Sequence, residues 1–278
     1  NRLYSKGTTV ILNRGLVGDI NINFKEAFIT NALLQSQNNT SGTTVINGTI
    51  IDDVGTTTYP IFNLTSTNQC KTIFNGIVKP KVNSGNGRRL IQISQPNNDM
   101  IFKGDVFYDS TASTTSNMFN LLADSELVFD GNVLGTFSGK IGNVRNGKLI
   151  IKNSHFESNT SGNVLLDNDV TSSTGTTSIR NSTFLLNNST TDLCDGQYLN
   201  TYILNSNIKN NGTSDIFTNS TNTGLLQINN SNLVTNGSNT INISGNSPLV
   251  AGNLISNTPV IATNISGIIT ELTELDIE

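Results

Sequence analysis

Ile46-Asn47-Gly48-Thr49-Ile50 is followed about 28 residues later by Phe74-Asn75-Gly76-Ile77-Val78, and after a similar interval by Phe102-Lys103-Gly104-Asp105-Val106. Each stretch reads apolar, any residue, Gly, any residue, apolar. Leu16-Val17-Gly18-Asp19-Ile20 upstream and Phe129-Asp130-Gly131-Asn132-Val133 downstream fit the same template. Self-similarity at a fixed period of this length marks a solenoid, in which one coil cannot bury its own apolar face and stacking completes the core. The motif then changes form. Ile151-Lys152-Asn153-Ser154-His155-Phe156 is repeated as Ile179-Arg180-Asn181-Ser182-Thr183-Phe184, then from Ile203 as Ile-Leu-Asn-Ser-Asn-Ile and from Ile228 as Ile-Asn-Asn-Ser-Asn-Leu.

A second apolar run follows many of these motifs: Ala32-Leu33-Leu34, Ile61-Phe62-Asn63-Leu64, Leu90-Ile91-Gln92-Ile93, Met118-Phe119-Asn120-Leu121-Leu122, Val164-Leu165-Leu166, Ile216-Phe217 and Ile241-Asn242-Ile243. The coils at Phe129 and Ile179 show no clear counterpart. Two or three short strands per coil, joined by bends, predict an all-β parallel β-helix of about nine coils. Crossover connections between parallel strands are nearly always right-handed, so a right-handed helix is expected. Gly or Asn at the bend tolerates a left-handed backbone. Asn153, Asn181, Asn205 and Asn230 are expected to form an amide ladder along the stack.

The expected core column is Ile46, Phe74, Phe102, Phe129, Ile151, Ile179, Ile203 and Ile228. A β-sandwich would show turns every 8–12 residues, as a rough guide, and no motif at the longer period. A leucine-rich repeat needs a Leu scaffold and a helix in each repeat. Domain limits are read as 1–15 for an N-terminal entry or cap, 16–250 for the β-helix and 251–278 for a C-terminal cap or inter-subunit tail. Phe24 to Leu34 has partly helical apolar spacing and is expected as a short capping helix.

Composition agrees with this reading. Only 13% of the 278 residues are charged, and the surface polarity falls to short neutral Asn, Ser and Thr side chains that suit turns and sheets. The net charge of -4, without a basic tract, argues against nucleic acid or an anionic membrane as a partner. No apolar stretch approaches the roughly 20 residues of a membrane span. The chain begins at Asn1 without a signal-peptide pattern and is read as processed, or as the ordered part of something longer.

Chemistry-bearing residues are sparse. His155 is the only histidine, which excludes a multi-histidine metal site, and it is expected as a surface or turn residue. Cys70 and Cys194 fall on distant coils, too far apart to bridge. Gly85-Asn86-Gly87 lacks a phosphate-loop context, so no cofactor is expected. Asp167-Asn168-Asp169 lacks calcium-loop spacing, so no metal is expected either. Asp52-Asp53, Asp167 with Asp169, and Asp192 with Asp195 are the acidic groups near strands. Paired carboxylates about 5–9.5 Å apart can hydrolyse a glycoside. On stacked coils, Asp167 with Asp195 is the catalytic candidate pair; the plainer alternative is that they solvate turns. Asn-x-Ser/Thr sequons, among them Asn47, Asn63, Asn159 and Asn242, are abundant, and in so Asn-rich a chain most arise by chance.

The coil length and the Asn-Gly and Asn-Ser bends resemble those of the pectin-lyase-like β-helix superfamily over roughly residues 10 to 250. The Asn/Thr-rich, histidine-poor texture is most similar to bacteriophage tailspike and tail-fibre shafts, and also to β-helical bacterial adhesins. The Gly-His-Gly signature and the calcium-linked basic residues of the enzyme branches are absent. The resemblance implies a non-catalytic structural and host-recognition module on a virion tail or extracellular surface. Such a module would form a homotrimer, bind a host-surface glycan or receptor, and contact other tail proteins. Two alternatives remain open: a cell-surface adhesin or extracellular filament subunit, and a glycan depolymerase using paired carboxylates.

Overall fold

The computed structural model describes residues 2–5, 11–14, 17–30, 32–38, 41–52, 59–80, 89–109, 117–136, 141–158, 166–167, 175–187, 193–195, 200–219, 224–243, 248–262 and 265–271. Among these, every regular element is a β-strand, and all strand pairs are parallel. They form one sheet of 17 strands and a second of 11. This is a β-solenoid. Each coil contributes one long, bent strand or two short ones to the first sheet and one short strand to the second. The strand Gly42–Asp52 is thus followed by Phe62–Ser66, and Cys70–Lys79 by Ile91–Ile93.

Ile46 pairs with Phe74, then Phe102, Phe129, Ile151, Ile179, Ile203 and Ile228 in unbroken register. All are essentially fully buried, as the repeat predicted. The rings of Phe102 and Phe129 stack at 5.2 Å, and those of Phe156 and Phe184 at 4.8 Å. The opposite wall of the core comes from the second sheet, where Phe62, Ile91 and Phe119 form a matching column.

The two motif forms correspond to two bend geometries. Gly48, Gly76 and Gly104 have φ of 145°, 148° and 150°. A Cβ on Gly76 would strike the Gly48 carbonyl oxygen, and one on Gly104 would strike that of Gly76. Glycine is therefore required twice over, by conformation and by close approach. Asn153, Asn181, Asn205 and Asn230 instead take left-handed φ of 54°, 48°, 48° and 47°. Their side chains form the expected ladder: Asn153 Nδ2 donates to Asp130 Oδ1 at 2.9 Å, Asn181 to Asn153 at 3.5 Å and Asn205 to Asn181 at 3.3 Å. On the following coils, Asn253 donates to Asn230 at 3.4 Å.

A second ladder runs beside the first. Ser154, Ser182, Ser206 and Ser231, each following a ladder Asn, turn inward and are buried. Each hydroxyl donates to the carbonyl two residues back, at 2.7–2.9 Å. The hydroxyls of Ser182, Ser206 and Ser231 also accept the backbone N–H of the serine one coil before, at 3.1–3.2 Å.

Several expectations are corrected. Phe24 to Leu34 is not a helix: it lies across the strands Ile20–Ile29 and Leu34–Asn38, in which alternate residues, Ala27 and Ile29, enter the core. Leu16, the first residue of the upstream motif, lies outside the described residues. Ile22 pairs with Ile46, and Gly18 stacks against Gly42 rather than Gly48. The two coils without an obvious second strand have one, Gly142–Val144 and Cys194–Asp195. The 11 strands of the second sheet make the stack longer than nine coils. The described residues at the two ends of the chain also pair as strands in the stack. Arg2–Ser5 and Ile11–Arg14 pair onto the first full coil, and Leu249–Ser256 and Ile265–Glu271 continue the first sheet at the other end.

Candidate functional site

A three-residue strand of the second sheet points in, out and in. Its inward residues are apolar, so the middle residue is the one the sequence can vary without cost to the core. In successive coils that position holds Asn63, Gln92, Asn120 and Asn143, paired in register. The register continues to Asp167 and then Asp195. The result is a row of amides, spaced by the roughly 4.8 Å of neighbouring strands, with two aspartate positions at its end.

The row is knitted together. Arg89 Nη1 donates to Gln92 Oε1 at 3.2 Å, and Asn143 Nδ2 donates to Asn120 Oδ1 at 3.2 Å. Turned about, the Asn120 amide gives up that bond, its oxygen accepting from Arg89 Nε at 3.0 Å and its nitrogen donating to the Phe119 carbonyl at 3.0 Å. Arg145 lies two residues beyond Asn143, with its backbone N–H bound to the Leu121 carbonyl. Although they lie on the outward-facing row, Asn120 and Asn143 are only 6% and 9% exposed. Asn63 Oδ1 and Asn143 Oδ1 are buried without a hydrogen-bond partner. The amides of the row and the Arg89 guanidinium are donors and acceptors of the kind that pair with hydroxyl groups.

The candidate carboxylates Asp167 and Asp195 are direct register partners on adjacent coils; their side chains lie outside the described residues. Asp53, Asp169 and Asp192, Gly85 to Gly87 and Asn159 also lie outside them. Asp52 is buried at an inward position opposite Ile29. His155 lies in a first-sheet strand opposite Thr183 and is half-buried. Among the described residues, no group of three or more His, Cys, Asp and Glu is placed to hold a metal ion. No described helix is long and apolar enough to cross a membrane.

Cys70 is a buried free thiol, with Ser36 Oγ at 3.6 Å. Burial pushes its pKa up, against hydrogen bonds from Ser36 and Thr72 that lower it. Cys194 sits in the second sheet several coils away, opposite Leu166. The sequon at Asn47 is engaged in an amide chain, receiving from Asn75 at 2.8 Å and donating to Asn23 at 2.7 Å.

Sequence reasoning found the aspartate pair but missed the amide row and the serine ladder. The row had a signal, a polar residue at the centre of each short apolar run, visible in Phe62-Asn63-Leu64 and Ile91-Gln92-Ile93.

No family model, no curated protein and no solved structure matches the chain. Class therefore rests on the fold itself: a parallel β-solenoid with a polar row on its second sheet.

Proposed function

We propose that the chain is a rigid, non-catalytic recognition module of an extracellular or virion-borne fibre, and that the row Asn63, Gln92, Asn120 and Asn143 binds a host-surface glycan. The observation that carries this reading is the in-register row of amides on the outward positions of the second sheet, with the Arg89 guanidinium bonded to Gln92. Amides and guanidinium groups supply donors and acceptors for sugar hydroxyls. The equal spacing of the row suits an extended oligosaccharide lying along the stack. The backbone behind it is hydrogen-bonded coil to coil, so little ordering is needed on binding. The test is a glycan-array screen followed by titration of the best oligosaccharide. Asn120→Ala and Arg89→Ala should weaken binding at least tenfold while leaving the circular dichroism unchanged. Undiminished binding by both variants would move the site elsewhere.

The register pairing of Asp167 with Asp195 favours a second reading, a glycan depolymerase. One carboxyl would protonate the leaving oxygen while the other attacked the sugar or activated water. Release of reducing ends from a bound polysaccharide, abolished in Asp167→Asn and Asp195→Asn, would establish it.

A further inference from the structure

The first sheet carries an outward stripe that a solvent-facing sheet has no need of. Val45, Ile73, Ile101, Val128 and Ile150 follow one another in register over five coils. Their neighbours on either side along each strand, such as Met100 and Phe102, are buried in the core. The stripe therefore lies on the opposite face. Strands apolar on both faces are the pattern of sheets covered on both faces. Val128 is only 4% exposed, and the other four are half-buried. Beyond Ile150 the column turns polar at Ser178.

Charges of both signs border the stripe. Lys71, Asp99, Glu126 and Lys148 line one side, and Lys103, Asp130, Lys152 and Arg180 the other. Within the chain, Lys148 Nζ meets Glu126 Oε2 at 3.1 Å and Lys152 Nζ meets Asp130 Oδ2 at 3.0 Å.

We propose that a second copy of this chain packs on the stripe face to face, antiparallel, about a two-fold axis between the Glu126–Asp130 and Lys148–Lys152 strands. This inference does not rest on the glycan reading. The charge pattern selects both the partner and the direction. In the antiparallel arrangement, Glu126 faces Lys148 of the partner subunit, Asp130 faces Lys152 of the partner subunit and Val128 faces Ile150 of the partner subunit, while Ile101 and Ile73 lie over Ser178 of the partner subunit and Tyr202 of the partner subunit. Because the interface is isologous, each pair occurs twice. One like-charge meeting, Lys103 with Arg180 of the partner subunit, falls at the rim, where water screens it. A parallel face-to-face pair would instead oppose Glu126 to Asp130 and Lys148 to Lys152.

The experiment is light scattering of the intact chain across a dilution series, with its variants. The wild type should have twice the chain mass. Ile101→Lys/Ile150→Lys should shift it to the monomer with an unchanged circular dichroism spectrum, whereas Leu134→Lys, on the other limb of the strand, should stay dimeric. Glu126→Lys alone should weaken the dimer, and adding Lys148→Glu should restore it. This pair of variants decides the matter if the double lysine variant fails to fold. A wild-type monomer, a trimer, a dimer indifferent to the stripe variants, or a dimer strengthened by Glu126→Lys would each overturn the proposal.

Discussion

The backbone N–H of Ser182 donates to Oγ of Ser206, one coil further along, at 3.2 Å, while the Ser206 hydroxyl donates to the Leu204 carbonyl at 2.8 Å. One buried hydroxyl thus bonds two backbone groups on neighbouring coils at the Asn-Ser bend. Ser206→Ala would leave the Ser182 N–H buried and unmet, while the Leu204 carbonyl keeps the Asn181 N–H at 3.0 Å. The unmet N–H costs about 1–3 kcal/mol. The expected outcome is a loss of that order in a urea melt, with Ser206→Gly no better. A loss indistinguishable from that of an exposed serine would show that water replaces the hydroxyl.

The Gly bend predicts a contrast between two glycines of the same type. Gly76, at φ of 148°, has the Gly48 carbonyl where its Cβ would be, whereas Gly18, at φ of 119°, has nothing within 4 Å of that point. Gly18→Ala carries only the conformational penalty of about 1 kcal/mol, whereas Gly76→Ala must also separate two coils. Thermal melts should therefore order the proteins wild type, Gly18→Ala and Gly76→Ala, with a wide gap before the last.

How much of this was legible depends on whether a residue had a local reason to be where it is. Gly76 and Asn181 are required by the bend itself, so their recurrence exposed the period. Ser182 was visible beside Asn181, but its service to the preceding coil is a contact between residues 24–28 apart and leaves no local pattern. The strand Gly142–Val144 was hidden because a Cβ on Gly142 would collide with the Phe119 ring, so an apolar side chain cannot stand there. Gly18 misled because it matches the motif yet stacks on Gly42, six residues before the glycine it imitates. At the far end, Ala251 and Gly267 occupy the register of the large core residues, so at that position those rungs lack the large apolar side chain that marks the motif elsewhere. The aspartate pair was legible as a register argument; the amide row beside it needed the strand alternation to be known first.

The in-and-out alternation of the first sheet gives a third prediction. Phe102 is 1% exposed and packs between Phe74, Phe62 and Phe129, whereas its neighbour Ile101 faces outward. Phe102→Ala should cost about 3–5 kcal/mol from lost burial and the cavity left behind. Ile101→Ala, in the same strand and of similar hydrophobicity, should cost clearly less in the monomer. Equal losses would mean that the register is displaced by one residue.

Asn63 predicts a gain. Its buried Oδ1 has no partner, a cost that an apolar side chain at that position would not carry. Asn63→Leu should melt at or above the wild-type temperature while binding glycan less well, the expected exchange at a site kept polar for a ligand. A lower melting temperature would show that the amide serves the fold.

Asp130 links the fold to pH. Partial burial pushes its pKa up, but hydrogen bonds from Asn153 and Lys152 and the charges of Lys152 and Lys103 outweigh this, and the carboxyl ends below its ordinary value. A folded-state pKa below the unfolded one means that the unfolded chain binds the proton more readily. The stabilisation is therefore complete above the unfolded value of about 3.9 and is lost as pH falls through the folded one. Asp130→Asn keeps a hydrogen-bond acceptor for Asn153 but cannot titrate. Its stability should vary less with pH than that of the wild type below about pH 4, with the two curves running parallel at neutral pH. Denaturant melts at a series of acidic pH values would show this. Identical acid limbs would mean that the Asn153–Asp130 contact at the foot of the asparagine ladder does not hold the charged carboxylate in solution.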